Sequence, residues 1–164
     1  MIPHDEEKRL AALERYKILD SAPEQRFDDL ALLASQICGT PMALITLVDE
    51  DRQWFKSHPG VPVSESHRDE SMCAHAILGD DVFQVTDALQ DDRFAENPNV
   101  ARGARVRFYA GVPLTLADGH HVGTLCIMDH RPRVLDDDEL DRLRQLGQMV
   151  EAELESYAEE QATS

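Results

Sequence analysis

Hydrophobic and polar positions follow a helical period at both ends of this chain. Good helix formers fill the opening stretch EEKRLAALERYKILD, which predicts a lead-in helix over about residues 5–18. A second helix is predicted next, because apolar residues recur at helical spacing over residues 27–37 and Gly39 ends the pattern. Ser21 and Glu24 stand at capping-box spacing and predict a capped start for this second helix.

The centre of the chain changes to the pattern of β-strands. Two β-rich runs, residues 42–48 and 53–57, flank a short acidic turn and predict a hairpin. VFQVTDA at 82–88 predicts another strand, and residues 106–129 predict two long strands joined at Asp118-Gly119. Short connections between strands, with helices at both ends, indicate an α+β fold around an antiparallel sheet.

A long C-terminal helix is predicted over about residues 136–160, with acidic residues in its first turn. Its apolar positions alternate spacings of three and four, and they are Leu140, Leu143, Gly147, Val150, Leu154 and Tyr157. This spacing is typical of a stripe that covers a sheet and also of a coiled-coil seam, so the pattern leaves both open. If the seam forms, we expect a parallel homodimer, assisted by salt.

Length and charge narrow the possible functions. The 164 residues fit one domain, with a core over about residues 20–155. The net charge of −16 repels phosphate backbones and anionic lipid, so we expect neither nucleic acid nor a membrane surface as a partner.

The start MIPHDEEKRL lacks the basic leader and apolar core of a signal peptide, and a cytoplasmic location is expected. The odd, scattered cysteines predict reduced thiols rather than disulfides or a metal site.

Several motifs together carry a resemblance to a known family. PMALITLVDEDRQWFKS, SMCAHAI, VTDALQDDRFAENPNV, RFYAGVPL and GTLCIMD, in this order, resemble the GAF domains at the input ends of bacterial sensor histidine kinases and diguanylate cyclases. The preceding ERYKILDSAPEQRFDDLALLA resembles the helical lead-in of the same subgroup, so the likeness extends over roughly residues 6–155.

The resemblance implies a six-stranded antiparallel sheet with the terminal helices on one face. On the other face, loops and short helices would enclose a small-molecule pocket, with SMCAHAI as a short helix, DRFAENPNV as a lid and RFYAGVPL as a strand beneath. It also implies a sensory module without catalytic residues or a cofactor. Such a module binds a small ligand and acts through its terminal helices on an effector domain in cis or in trans.

The segment SMCAHAI supplies two candidate ligand-binding residues, Cys73 and His75. Successive helical residues turn by about 100°, so these two side chains point to different sides and a shared metal ion is disfavoured. Cys73 belongs to an apolar stripe with Met72 and Ala76, which favours a packing role. His75 lies on the other side, where it either faces the pocket or bonds to a neighbouring loop.

The lid and the central strand supply the remaining candidates. Asp87 and Arg93 either recognise a ligand as a pair or form a salt bridge that fixes the loop. Phe94 belongs to the lid. Phe108 and Tyr109 are neighbours on a strand and face opposite sides, so only one of them can line the pocket. The same alternation separates Trp54 from Phe55.

Two other functions are compatible with the same fold. One GAF branch reduces free methionine sulfoxide with paired cysteines, and Cys73 approximates one of those positions. RFYAGVPL, however, lacks a cysteine where such an enzyme carries one, and Cys126 alternates with core residues in a buried strand. The third possibility is a dimerisation scaffold whose pocket is filled by side chains. The chain shows no Ser-His-Asp order, phosphate-binding glycine loop or HExxH motif, so catalysis is disfavoured.

Overall fold

The computed structural model describes residues 2–163. The helices are α1 (Glu6–Tyr16), α2 (Gln25–Cys38), α3 (Cys73–Ala76), α4 (Pro98–Ala101) and α5 (Asp137–Thr163). The strands are β1 (Met42–Val48), β2 (Arg52–Ser57), β3 (Glu65–His67), β4 (Phe83–Val85), β5 (Phe108–Thr115) and β6 (His121–Asp129). Short 3-10 turns occupy Arg68–Glu70 and Ala88–Gln90. Within residues 2–163, no helix combines the length and hydropathy that crossing a bilayer requires.

One antiparallel sheet contains all six described strands, in the order β3-β2-β1-β6-β5-β4. The predicted hairpin, the long β5–β6 pair and the α+β class are therefore confirmed. β1 and β6 form the centre of the sheet, and they approach closely where Leu47 lies opposite Gly123. A Cβ atom at Gly123 would lie 1.8 Å from the carbonyl oxygen of Thr46, so only glycine fits there.

The two faces of the sheet carry separate hydrophobic cores. The first core lies under the terminal helices α1, α2 and α5, and it includes Trp54 and Phe108. The second lies on the opposite face under α3 and the loops, and it includes Phe55 and Tyr109. Strand alternation explains the division, because neighbouring residues on β2 and β5 point to opposite faces. The predicted arrangement of layers is thus confirmed.

The apolar stripe of α5 covers the domain's own core. Leu154 is 1% exposed and Tyr157 is 8% exposed, and both pack into the helix-side core together with Leu143 and Val150. At Gly147 an added Cβ would lie 2.8 Å from the Val112 side chain, so the helix lies directly on β5. A coiled-coil seam through Leu154 and Tyr157 is therefore wrong, because these side chains are already buried within one chain.

The loop before α2 is held by a buried ammonium group rather than by a capping box. The Lys56 side chain is fully buried, and its Nζ donates to Ser21 Oγ at 2.9 Å and to the Ala22 carbonyl at 2.6 Å. Glu24 accepts an ion pair from the same Nζ at 2.6 Å. The capping-box prediction is wrong because Lys56 engages both Ser21 and Glu24, and Glu24 makes no side-chain cap bond.

Candidate functional site

A cavity of about 440 Å³ lies on the face of the sheet opposite the terminal helices. Its floor consists of side chains from β1, β2, β5 and β6. Its walls come from residues 60–63 and from Glu70, Met72, Cys73, Asn99, Gly103, Ala104 and Val106. Of the predicted lid, residues 92–100, only Asn99 lines this space. The segment 60–63, which the sequence patterns did not single out, forms a wall in its place.

The lining of the cavity is mostly apolar and rich in sulfur. Met42 and Met128 are directly opposed across β1 and β6, and Met72 reaches the same space from the start of α3. Phe55 and Tyr109 contribute aromatic rings from β2 and β5. Methionine is flexible and polarisable, so these walls can adapt to the shape of a small guest molecule.

Polar groups are few in the cavity, and the deepest of them already have partners. Gln53 is buried, its Nε2 donates to Ser66 Oγ at 2.6 Å, and its Oε1 accepts from Ser71 Oγ at 2.6 Å. Glu70 and His130 belong to the more exposed part of the lining. The geometry therefore suits a small, mainly apolar molecule that carries a few polar groups.

Cys73 is a buried thiol of the cavity wall that accepts hydrogen bonds from the sheet. It is 2% exposed, and its Sγ accepts hydrogen bonds from Tyr109 Oη and from Thr124 Oγ1, both at 3.2 Å. Thr124 lies opposite Thr46 across β6 and β1, and their hydroxyls are 3.0 Å apart. Cys126 lies two residues beyond Thr124 on the same face of β6 and packs in the same hydrophobic core as Cys73. The predicted burial of Cys73 is confirmed. The sequence patterns did not predict the hydroxyl groups that donate to its sulfur.

These contacts separate the acidities of the two thiols. Burial raises the pKa of Cys73, but hydrogen bonds from Cys126, Thr124, Thr46 and Tyr109 outweigh burial and hold it below its usual range. Burial and the neighbouring Cys73 raise the pKa of Cys126 well above its usual value. Burial likewise raises the pKa of Tyr109, so its hydroxyl keeps the proton it donates. Cys73 is therefore the more acidic thiol of the pair.

His75 belongs to an aromatic cluster beside the cavity and does not line it. Its ring meets Phe94 edge-on at 4.9 Å between centroids and stacks on Phe83 at 6.2 Å. Burial, followed by the nearby charge of Arg93, lowers the pKa of His75. Phe94 is 2% exposed and fills the space behind α3. The structure thus favours a structural role for His75 and Phe94.

Asp87 and Arg93 do not pair with each other. A tight turn, in which Phe94 N donates to the Asp91 carbonyl at 2.9 Å, brings Asp91 beside Arg93, and their side chains pair at 2.7 Å. Asp87 instead accepts a hydrogen bond from Leu89 N at 3.2 Å and caps the 3-10 turn. Both interpretations of an Asp87–Arg93 pair are therefore wrong, and neither residue lines the cavity.

Of the seven residues predicted from the sequence, Cys73 and Tyr109 line the cavity. Phe108 is a correction, because the alternation of β5 turns its side chain into the helix-side core, where it is fully buried. The same alternation selects Phe55 over Trp54. The sequence missed Met42 and Met128, whose only signal was their position on the same face as Leu44 and Cys126.

The ion pairs of Glu6 with Arg9 and Arg68, here called the Glu6 cluster, connect α1 to the cavity wall. The Glu6 carboxylate accepts from Arg9 Nε at 2.8 Å and also pairs with Arg68, the first residue of the 3-10 turn that ends at Glu70. Both arginines are buried, and they donate to the carbonyls of Val48 at 2.7 Å and Asp49 at 3.0 Å. Burial raises the pKa of Glu6, but its bonds to Arg9 and Arg68 prevail and lower it to about 2.

No cluster suited to a metal ion occurs in the described part of the chain. Among residues 2–163, no three or more histidine, cysteine, aspartate or glutamate side chains converge in the way that ligation requires. The site is an apolar cavity whose wall contains a thiol that accepts two hydrogen bonds.

Comparison with known proteins agrees with this architecture. The family model of the GAF domain matches residues 22–154. A cyclic di-GMP phosphodiesterase of Pseudomonas aeruginosa is 41% identical over 131 residues, which is 80% of this chain. The chain spans only 22% of the length of that relative.

Solved structures with the same fold share little sequence with this chain. A domain of a putative two-component sensor histidine kinase from Sinorhizobium meliloti has a TM-score of 0.67 at 16% identity, over 88% of this chain and 99% of its own. A free methionine-R-sulfoxide reductase from Thermoplasma acidophilum has a TM-score of 0.66 at 10% identity, over 81% and 92%. The family match covers most of the residues from α2 to α5. The chain belongs to the GAF domain family.

Proposed function

We propose that this domain is a regulatory module of signal transduction that binds a small, mainly apolar molecule in the 440 Å³ cavity. The observation that carries the proposal is the cavity itself, which opens on the sheet face that the terminal helices leave free. Its size lies within the range of ligand pockets, and apolar walls with a few polar groups are their usual composition. Glu70 and His130 would contact the polar end of the ligand.

The Glu6 cluster supplies a route from the cavity to the lead-in helix. A ligand that contacts Glu70 or Met72 acts on the segment that begins at Arg68, and Arg68 is paired to Glu6 of α1. A ligand changes the output only if it binds two arrangements of this segment with different affinity. We infer that α1, together with the packed helix α5, reports the state of the cavity.

The output requires an effector, and the curated relative suggests one class. Because that relative is named a cyclic di-GMP phosphodiesterase and the matched region is a fifth of it, we propose that the domain regulates an effector of this signalling type in cis or in trans. A cytoplasmic location and a homodimeric arrangement are part of this proposal. Nucleic acid and membrane surfaces are not expected as partners of a domain that carries a charge of −16.

A thermal-shift screen of small apolar and amphipathic metabolites tests the proposal. A ligand well above its dissociation constant should stabilise the wild type by about 2 to 4 kcal/mol. The variant Ala104→Trp places an indole at an exposed position in the cavity wall and should abolish this stabilisation. The matched variant Ala101→Trp, at an exposed position outside the cavity, should retain it.

Two results would overturn the proposal. Equal responses of the Ala104→Trp and Ala101→Trp variants would place the ligand elsewhere on the molecule. A screen without any stabilising compound, together with purified protein that releases no small molecule detectable by mass spectrometry, would favour a ligand-free scaffold.

A further inference from the structure

We propose that Cys73 and Cys126 form a peroxide-responsive dithiol switch, in which a small peroxide entering the cavity oxidises Cys73 and Cys126 then closes a disulfide. The switch needs no cavity ligand, so it stands apart from the proposed sensing function. It rests on the placement of two thiols in one buried cluster, with one of the two residues lining the cavity.

The burial of the two cysteines sets the order of events. Cys73 lines the cavity although it is only 2% exposed, whereas Cys126 is fully buried beneath it and does not line the cavity. Small molecules that enter the cavity therefore meet Cys73 first. The Cys73 sulfur accepts from Thr124 Oγ1, and Thr124 lies two residues before Cys126 on the same face of β6. It also accepts from Tyr109 Oη, which lies over Gly111, the residue opposite Cys126. Cys126 is therefore placed beside that sulfur and can attack it once it has been oxidised. Cys38, the third thiol, is buried in the helix-side core.

The hydroxyl donors around Cys73 favour its reactive form. The thiolate is the nucleophile in such reactions, and Tyr109 Oη and Thr124 Oγ1 both donate to this sulfur at 3.2 Å. Hydrogen bonds to a charged group are stronger than those to a neutral one, so this arrangement stabilises the thiolate more than the thiol.

The reaction balances in two steps. The Cys73 thiolate attacks one oxygen of hydrogen peroxide, the O–O bond breaks, and hydroxide leaves, giving a sulfenic acid on Cys73. The Cys126 thiol gives up its proton and attacks the Cys73 sulfur, the S–O bond breaks, and the sulfenic oxygen leaves as hydroxide. One hydroxide takes the proton that Cys126 gives up. The other takes the proton that Cys73 lost when its thiolate formed, so two water molecules result. The two thiols lose two electrons and the peroxide gains two.

The disulfide would change the cavity wall directly. Cys73 is the first residue of α3, and Cys126 lies in the centre of the sheet opposite Leu44 and Gly111. A disulfide brings two sulfurs to about 2.0 Å, closer than a hydrogen-bonded contact, so α3 must move toward β6. Oxidation would therefore hold the part of the cavity wall that contains Met72 in this shifted position.

Peroxide titration of the full chain, followed by mass spectrometry, tests the switch. After exposure to hydrogen peroxide, the remaining thiols are alkylated in denaturant and the peptides are mapped. The expected product is a Cys73–Cys126 linked peptide with Cys38 still alkylated, and dithiothreitol should reverse it. The variant Cys38→Ser should form the same linkage at the same rate.

Two further variants test the roles of the neighbours. Tyr109→Phe removes one donor to the thiolate and should slow oxidation of Cys73 by about tenfold near neutral pH. Cys126→Ser should leave a sulfenic acid on Cys73 that dimedone traps. If Cys126→Ser does not fold, the linkage map of the wild type and Cys38→Ser decides the question alone. Oxidation of Cys38 as fast as Cys73, a different linkage, or an unchanged rate in a folded Tyr109→Phe variant would overturn the proposal.

Discussion

Replacing Glu6 with glutamine should destabilise the domain by about 3 kcal/mol at neutral pH. The carboxylate lies between the buried guanidinium groups of Arg9 and Arg68, which lower its pKa from 4.5 to about 2. Each tenfold change in proton affinity corresponds to about 1.4 kcal/mol, which gives this magnitude. The figure lies at the lower end of the range measured when one partner of a buried ion pair is removed.

The same ion pairs predict how the difference depends on pH. Because the folded-state pKa of Glu6 is depressed, its contribution is fully present above pH 4.5 and is lost as the pH falls from 4.5 toward 2. The stability gap between wild type and Glu6→Gln should therefore be constant between pH 6 and 8 and shrink below about pH 4.5.

Urea denaturation followed by the fluorescence of Trp54, the single tryptophan, measures this gap. Glu7→Gln is the matched control, since Glu7 is the neighbouring residue on α1 and is exposed. This control should change stability by less than about 0.5 kcal/mol. Equal effects of the two variants, or a Glu6→Gln gap that persists unchanged at pH 3, would refute the stabilising role of the Glu6 ion pairs with Arg9 and Arg68.

Three further predictions follow from particular side chains. Leu154→Ala should cost about 3 kcal/mol independently of protein concentration, and the exposed Met149→Ala should cost little; a concentration-dependent loss would restore the dimer seam. Free methionine sulfoxide with a thioredoxin regenerating system should show no turnover, whereas turnover abolished by Cys73→Ser would indicate a reductase. His75 should titrate below pH 6.5 by NMR, because burial lowers its pKa, and a midpoint above 6.5 would contradict its placement.

The fold was accessible from the sequence because hydrophobic period and turn chemistry are local signals. The helices at both ends, the hairpin of β1 and β2, and the turn at Asp118-Gly119 all follow from neighbouring residues. Alternation also showed that Phe108 and Tyr109 face opposite sides. Which of them faces the cavity depends on where the helices pack, and that is a property of the whole sheet.

The site was less accessible because it depends on partners that are distant in sequence. The donors to Cys73 come from β5 and β6, and the contact of Thr46 with Thr124 exists only through the register of β1 on β6. Asp87 and Asp91 are both close to Arg93 along the chain, and only the geometry of the turn selects Asp91 as its partner. The spacing of residues along the chain cannot show which of two nearby side chains becomes the partner.

Hydrogen–deuterium exchange, with and without a ligand from the thermal-shift screen, tests the central claim most directly. If the cavity binds the ligand and the Glu6 cluster transmits its presence, exchange should slow in residues 60–63 and 70–73 and should also change in α1. In Glu6→Gln the ligand should still protect the cavity wall, while the change in α1 should disappear. Protection confined to other surfaces, or an α1 response that survives loss of the carboxylate, would contradict the account.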